Sequence, residues 1–151
     1  MESTIGIDVA ARAELVFALA RDVERWEWLL PHYVRSRARE RAPDGALVVD
    51  FIARRPLIGV LGIGLPVIWR ARTWSEPEAR RLRFVHVAGA TRGMDVSWLI
   101  EPTTGGGCRV EIEHVFAPRI PGFAAFVDRG FTRPIAGRTL ATFKVLAEAL
   151  A

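Results

Sequence analysis

Arg133-Pro-Ile-Ala-Gly-Arg-Thr-Leu-Ala-Thr-Phe-Lys-Val-Leu-Ala-Glu-Ala-Leu-Ala151 is the stretch that decides the fold. At about 100° per residue, Ile135, Thr139, Phe143, Leu146 and Leu150 fall in one narrow sector. Ala136, Leu140 and Ala147 widen that sector, and Lys144 and Glu148 lie opposite it. Thr132 is placed to cap, and Pro134 suits a first turn, where its missing N–H is no loss. The spacing predicts a helix of about four turns or more with one apolar face. Almost everything before it reads as strand, so helix and sheet must cover one another.

Working back from the helix, period-two alternation recurs in segment after segment. Val110, Ile112, His114 and Phe116 oppose Arg109, Glu111 and Glu113; Met94, Val96, Trp98 and Ile100 oppose Asp95 and Ser97. Leu82, Phe84 and His86 oppose Arg81 and Arg83, and Val67, Trp69, Ala71 and Thr73 oppose Arg70 and Arg72. Leu47, Val49 and Phe51 share a face against Asp50, while Val34, Ser36 and Ala38 oppose Arg35, Arg37, Arg39 and Arg41. One apolar and one charged face is the pattern of an antiparallel sheet with one solvated side. Pro43-Asp44-Gly45, Glu76-Pro77-Glu78-Ala79 and Thr104-Gly105-Gly106-Gly107 supply turns between them.

Ahead of this meander, Thr4 to Val9 reads as a first strand. Arg12–Arg21 follows as a helix with Leu15, Val16, Phe17 and Leu19 on its apolar face. A second short helix, Glu24–Leu30, carries Trp26 and Trp28 and ends at Pro31, before His32-Tyr33. The expected class is α+β: an antiparallel sheet of six to seven strands wrapped around a long C-terminal helix, with two short helices after strand 1. Without repeat or linker, residues 1–151 are expected to form one domain.

The bulk composition narrows the function. Half of the 151 residues are apolar and a quarter charged, with a net charge of +4. Lys144 apart, all 21 basic residues are Arg, and they are dispersed, without the dense stripe of a nucleic-acid groove. No nucleic-acid partner is expected. Cys108 is the only cysteine, so neither a disulfide framework nor a cysteine metal cluster is possible, and no His-x-x-x-His pair suggests a metal. No cofactor is expected. The start lacks a basic region followed by an apolar run, and the oily run Pro56–Trp69 is broken by Gly59, Gly62, Gly64 and Pro66. A cytoplasmic protein, monomer or homodimer, is the expectation.

The order strand, two short helices, meander, long helix resembles the helix-grip fold of the START, birch-pollen-allergen and polyketide cyclase/dehydrase superfamily, including its coenzyme Q-binding branch. The local markers are Ala11–Leu19, Val23–Trp28, Trp69–Thr73, Gly93-Met94-Asp95-Val96-Ser97-Trp98 and Pro134-Ile135-Ala136-Gly137-Arg138. The resemblance implies a cavity between the concave sheet face and the last helix that holds a lipid, an isoprenoid quinone or a polyketide. The inward residues are consistent with a lined pocket. Trp28, Trp69, Thr73, Phe84, Met94, Trp98, Ile135, Thr139 and Phe143 are the candidate ligand-binding set, apolar and aromatic with a few hydroxyls. The alternative is a solid core made of the same side chains.

His86 and His114 sit on apolar strand faces, where an imidazole can move protons on an enolisable ketone; the competing reading is a core histidine bonded to a neighbour. Tyr33 is the third candidate catalytic residue. Aromatase/cyclases of the superfamily use an inward arginine on the strand corresponding to Trp69–Thr73. Alternation here turns Arg70 and Arg72 outward and puts Thr73 inward, and a slip of one residue reverses that. Residues 57–65, with Gly59-Val60-Leu61-Gly62-Ile63-Gly64, read as a lid, a membrane-surface contact or a plain hairpin. Pro121–Phe131 reads as a short helix over the opening. Three functions follow: a carrier of a hydrophobic small molecule, a polyketide aromatase/cyclase or dehydrase, and a protein partner for the Arg35–Arg41 face. The first needs only the cavity. Thr139 separates chamber from solid core: in a core its hydroxyl bonds back to its own helix, in a chamber it reaches a ligand.

Overall fold

A computed structural model describes the backbone of residues 1–58 and 63–151 and the side chains of 1–55 and 64–151. Its strands are β1 (Glu2–Val9), β2 (Tyr33–Arg41), β3 (Leu47–Ile58), β4 (Ile63–Glu76), β5 (Arg81–Gly89), β6 (Asp95–Pro102) and β7 (Cys108–Val115). They form one antiparallel sheet in the order β1-β7-β6-β5-β4-β3-β2, a meander closed by β1 returning beside β7. Helices α1 (Ala13–Arg21) and α2 (Trp26–Leu29), joined by a 3-10 turn at Val23–Arg25, follow β1. Helices α3 (Phe123–Val127) and α4 (Arg133–Leu150) end the chain. This is the helix-grip arrangement.

The alternation places side chains as expected on most strands. Val49, Phe51, Ala71, Thr73, Leu82, Phe84, Val96, Trp98, Ile112 and His114 are buried on the concave face. The convex face is an ion-pair lattice: Arg39 and Arg70 both hold Asp50, Arg72 holds Asp44, Arg41 holds Glu24 and Arg37 holds Glu27. Those pairings explain the arginine ladder as a solvated face tied down by acids, each pair contributing little in water.

Two expectations need correction. Val34 was placed inward, but the β2–β3 register slips between Tyr33 and Arg35, so Tyr33 is buried and Val34 is 46% exposed. The extra residue of a bulge flips parity locally. Thr132 was placed as a cap before α4; its backbone is itself helical (φ −61°, ψ −56°), with no side-chain cap bond. A π-helical turn, Asp128–Thr132, joins α3 to α4, so the helical run spans 28 residues. Pro134 lies inside that run. It has no N–H to give the preceding turn and its ring pushes a carbonyl away, so the backbone widens just before it. The segment 57–65, read as lid or membrane contact, falls mainly outside the described side chains.

Trp26 is the hub of the packing. Its ring centroid lies 5.4 to 5.9 Å from those of Tyr33, Phe51, Phe84, Trp98 and Phe143, and its Nε1 donates to the Ala20 carbonyl at 3.0 Å. Edge-to-face and tilted pairs of this kind each add about 0.5–1.5 kcal/mol beyond area burial. The polar side of α4 is not idle: Lys144 donates to the Asp8 carbonyl, and Glu148 accepts from the Ala10 N–H, clasping the end of β1.

Candidate functional site

Away from Trp26 the sheet and the helix part. β4 contributes Val67 and Trp69, β5 Phe84 and His86, β6 Val96 and Trp98, and β7 Ile112 and His114. Across from them stand Phe131 and Thr132 of the π turn and Ile135, Ala136 and Thr139 of α4, with Trp26, Tyr33 and Phe51 closing one end. The cavity, open on one side, has a volume of about 90 Å³. Val67, Trp69, His86, Thr91, Phe131 and Thr132 are half-buried while the remaining wall is buried, so the mouth lies on their side.

The bulge on β5 sets one polar group of the chamber. The β4–β5 register jumps from Arg70↔Ala88 to Ala71↔His86, which throws Val87 outward and keeps His86 inward. Gly89 makes the close approach possible: at φ +101°, a Cβ there would meet the Ile68 carbonyl at 2.7 Å. His86 stacks on Trp69 (centroids 5.8 Å, 16°), and its Nδ1 lies 2.6 Å from Thr91 Oγ1. Burial, with His114 nearby, pushes its pKa down to about 3.

His114 faces it from β7. Burial lowers its pKa to about 4, with Arg133 acting in the same direction and Asp128 and the Ser3 backbone opposing. Its Nδ1 makes no hydrogen bond within the protein. A third histidine, His32, is buried beside the helix with Nε2 2.8 Å from Thr139 Oγ1, and burial and Arg138 hold its pKa near 4. Tyr33 is pushed well above the usual phenol range by burial, partly offset by its bond to Thr139. Near neutral pH all of these groups are uncharged.

The expected residues thus divide. His86, His114 and Tyr33 line the chamber, as do Trp69, Phe84, Met94, Trp98, Ile135 and Thr139. Three others do not. Trp28 is 82% exposed, because two residues along a helix from Trp26 is about 200° round its axis. Thr73 is inward but lies further along β4, between Leu47 and Phe84, where the core is filled. Phe143 packs edge-on against Trp26 and Trp98 behind the wall. Thr139 answers its own test twice over: its hydroxyl donates to the Ile135 carbonyl at 2.9 Å and also lines the chamber. Arg72 points outward to Asp44, with its guanidinium over Trp74. No described residue lining the chamber is charged. Cys108 is buried and its thiol pushed up by burial and by Glu14 and Asp8, which leaves it protonated and inert.

Among the described residues no group of three His, Cys, Asp or Glu side chains could hold a metal ion, and no helix is long and apolar enough to cross a membrane. A family model described as polyketide cyclase / dehydrase and lipid transport matches residues 9–143. The chain belongs to that family. Within it, the chain is similar to the di-domain ARO/CYC BexL from the BE-7585A biosynthetic pathway, at 26% identity and TM-score 0.72 over 95% of this chain. It spans only 45% of that protein's length. The fold is shared with the Zhui aromatase/cyclase from Streptomyces sp. R1128 (18% identity, TM-score 0.76, 98% of this chain and 93% of that one). It is shared too with a START superfamily protein from Mycobacterium smegmatis (16% identity, TM-score 0.68, 99% of each). A search of the curated proteins finds no match.

Proposed function

We propose that this family member binds a neutral, ring-bearing hydrophobic small molecule in the chamber, as a carrier or binding protein. The supporting observation is the chamber's chemistry: aromatic and aliphatic walls, a few neutral polar groups, and no charge on any described lining residue. A carboxylate or phosphate brought inside would lose its hydration without a cation to meet it, a penalty of several kcal/mol. Fatty acids and phospholipid headgroups are therefore disfavoured, and isoprenoid quinones and polyketides favoured. The enclosed space suits a ring, with longer chains leaving through the mouth. Native mass spectrometry and solvent extraction of the purified protein test this. A neutral apolar ligand is expected; a protein that emerges empty and takes up neither naphthalene nor a small quinone contradicts the reading.

A second reading, polyketide aromatase/cyclase or dehydrase, is favoured by the free Nδ1 of His114 beside Asp128. A neutral imidazole there could take an α-proton from a poly-β-ketone, the carbanion closing a C–C bond on a carbonyl further along and the proton returning to the alkoxide. Against it stands the lack of a cation to steady the enolate, Arg72 being outside. Loss of product in both His86→Ala and His114→Ala, with the fold intact, would move the assignment to catalysis. Unchanged turnover in both removes it.

A further inference from the structure

From Ala117 to Val127 the chain carries one polar side chain, that of Arg119. Burial would explain such a stretch, yet most of it lies at the surface. Ile120 is 65% exposed and Phe126 60%, with Pro121, Gly122 and Ala125 exposed between them. Single exposed apolar residues are ordinary on a protein surface, whereas a contiguous apolar run marks a contact. Phe126 is also held in place. Its ring stacks on Phe123 at 6.4 Å and meets Phe131 edge-on at 5.6 Å, and Phe123 leans in turn on buried Phe116. Phe131 lines the chamber, so the aromatic ridge runs from solvent to the mouth without a break.

Charge says what the ridge meets. The acid nearest to it in sequence, Asp128, is buried and held by Arg133 at 3.0 Å. Arg119 and Arg129 are exposed on either side of the ridge, and Arg92 is exposed beside Thr91 of the mouth. None of the three enters an ion pair among the described residues. On the convex face, by contrast, Arg37, Arg39, Arg41, Arg70 and Arg72 are each tied to an acid. A stable protein interface takes about 800 Å² from each partner, and two protruding side chains are a small fraction of that. They match a bilayer surface, which admits apolar groups at headgroup depth and draws cations to its phosphates.

We propose that residues 117–131 dock the mouth of the chamber on an anionic lipid surface, with Ile120 and Phe126 entering the headgroup layer and Arg119 and Arg129 facing lipid phosphates. The chamber then opens onto the apolar layer, and a neutral ring passes along Phe126 and Phe131 with little exposure to water. The docking itself does not depend on what the chamber holds.

Flotation of the folded protein at neutral pH with vesicles of phosphatidylcholine, alone or with about one third phosphatidylglycerol, tests the proposal. The protein should float with the anionic vesicles and stay behind with the neutral ones, and raised salt should release it. Arg119→Ala combined with Arg129→Ala should weaken binding about tenfold or more, and Phe126→Ser severalfold. Phe126 is mostly exposed, so Phe126→Ser should fold; thermal melts check this, and the arginine variant carries the test if it does not. Trp28→Ser removes an aromatic that is more exposed still, on the helix at the filled end, and should change nothing. An equal loss in Trp28→Ser overturns the docking face. Absence of binding to either vesicle overturns the proposal and leaves the ridge to a protein partner. Equal binding to both vesicles, insensitive to the arginines, overturns it too. None of these outcomes bears on whether a ring binds inside the chamber.

Discussion

Around Trp26 the space between sheet and helix is filled; toward Thr91 and Phe131 it is open. Both regions use the same ingredients, inward aromatics on alternating strand positions against one face of α4. The difference lies in what stands between them. At the filled end α2 drives Trp26 into the gap, where it meets five aromatic rings at once. At the open end the helical run widens into its π turn, the bulge on β5 redirects the chain beside His86, and His86 and His114 line the wall. Packing at the first end supplies rigidity. The second end inherits walls held in place without being filled.

The largest expected effect sets the open end against the closed one through pH. His32 and His114 are buried and His86 is half-buried, with pKa values pushed to about 3 or 4. Below about pH 6.5 the unfolded chain takes up protons on histidine while the folded one does not. Stability should therefore fall as pH drops from about 6.5 toward 4, by up to about 1.4 kcal/mol per pH unit for each histidine, and be flat from this source above 6.5. Denaturant melts from pH 4 to 8 would show the slope, and His86→Gln should make it shallower. A slope unchanged in that variant would mean His86 is not held neutral.

Truncation at the two ends should differ next. Trp26→Ala should destabilise by about 3–5 kcal/mol, since it leaves a hole among five rings. Phe131→Ala, half-buried at the mouth, should cost about 1 kcal/mol or less while changing the rate at which ligand enters and leaves. Equal losses in urea unfolding would show that the two ends are packed alike. The smallest effect is expected on the outer face. Arg72→Ala removes an exposed pair with Asp44 and should shift stability by no more than about 1 kcal/mol, with ligand affinity unchanged. A marked loss of binding would mean that Arg72 reaches the chamber.

Much of the fold was legible because period and parity are written in the residues: six alternating segments and one 3.6-period stripe define a sheet facing a helix. Parity also separated Thr73 from Arg72. It could not locate the empty space, since Thr73 and Trp69 share a face and only one borders the chamber. In α2 the helical period says that Trp26 and Trp28 point apart, but nothing in four residues says which goes in. Val34 turns on a bulge, which alternation alone does not reveal. His32 and Asp128 were missed for a related reason: each sits where one element gives way to another, and its partners, Thr139 and His114, are distant in sequence.

The property that governs what the chamber can hold is its neutrality. Tryptophan fluorescence titration at pH 7 with naphthalene and with 2-naphthoate, the same ring with and without charge, measures that property. Trp26, Trp69 and Trp98 line the space and report on it. Saturable quenching by naphthalene, with 2-naphthoate weaker by about a hundredfold or not bound at all, is the predicted result. Binding of 2-naphthoate as tight as that of naphthalene would contradict it.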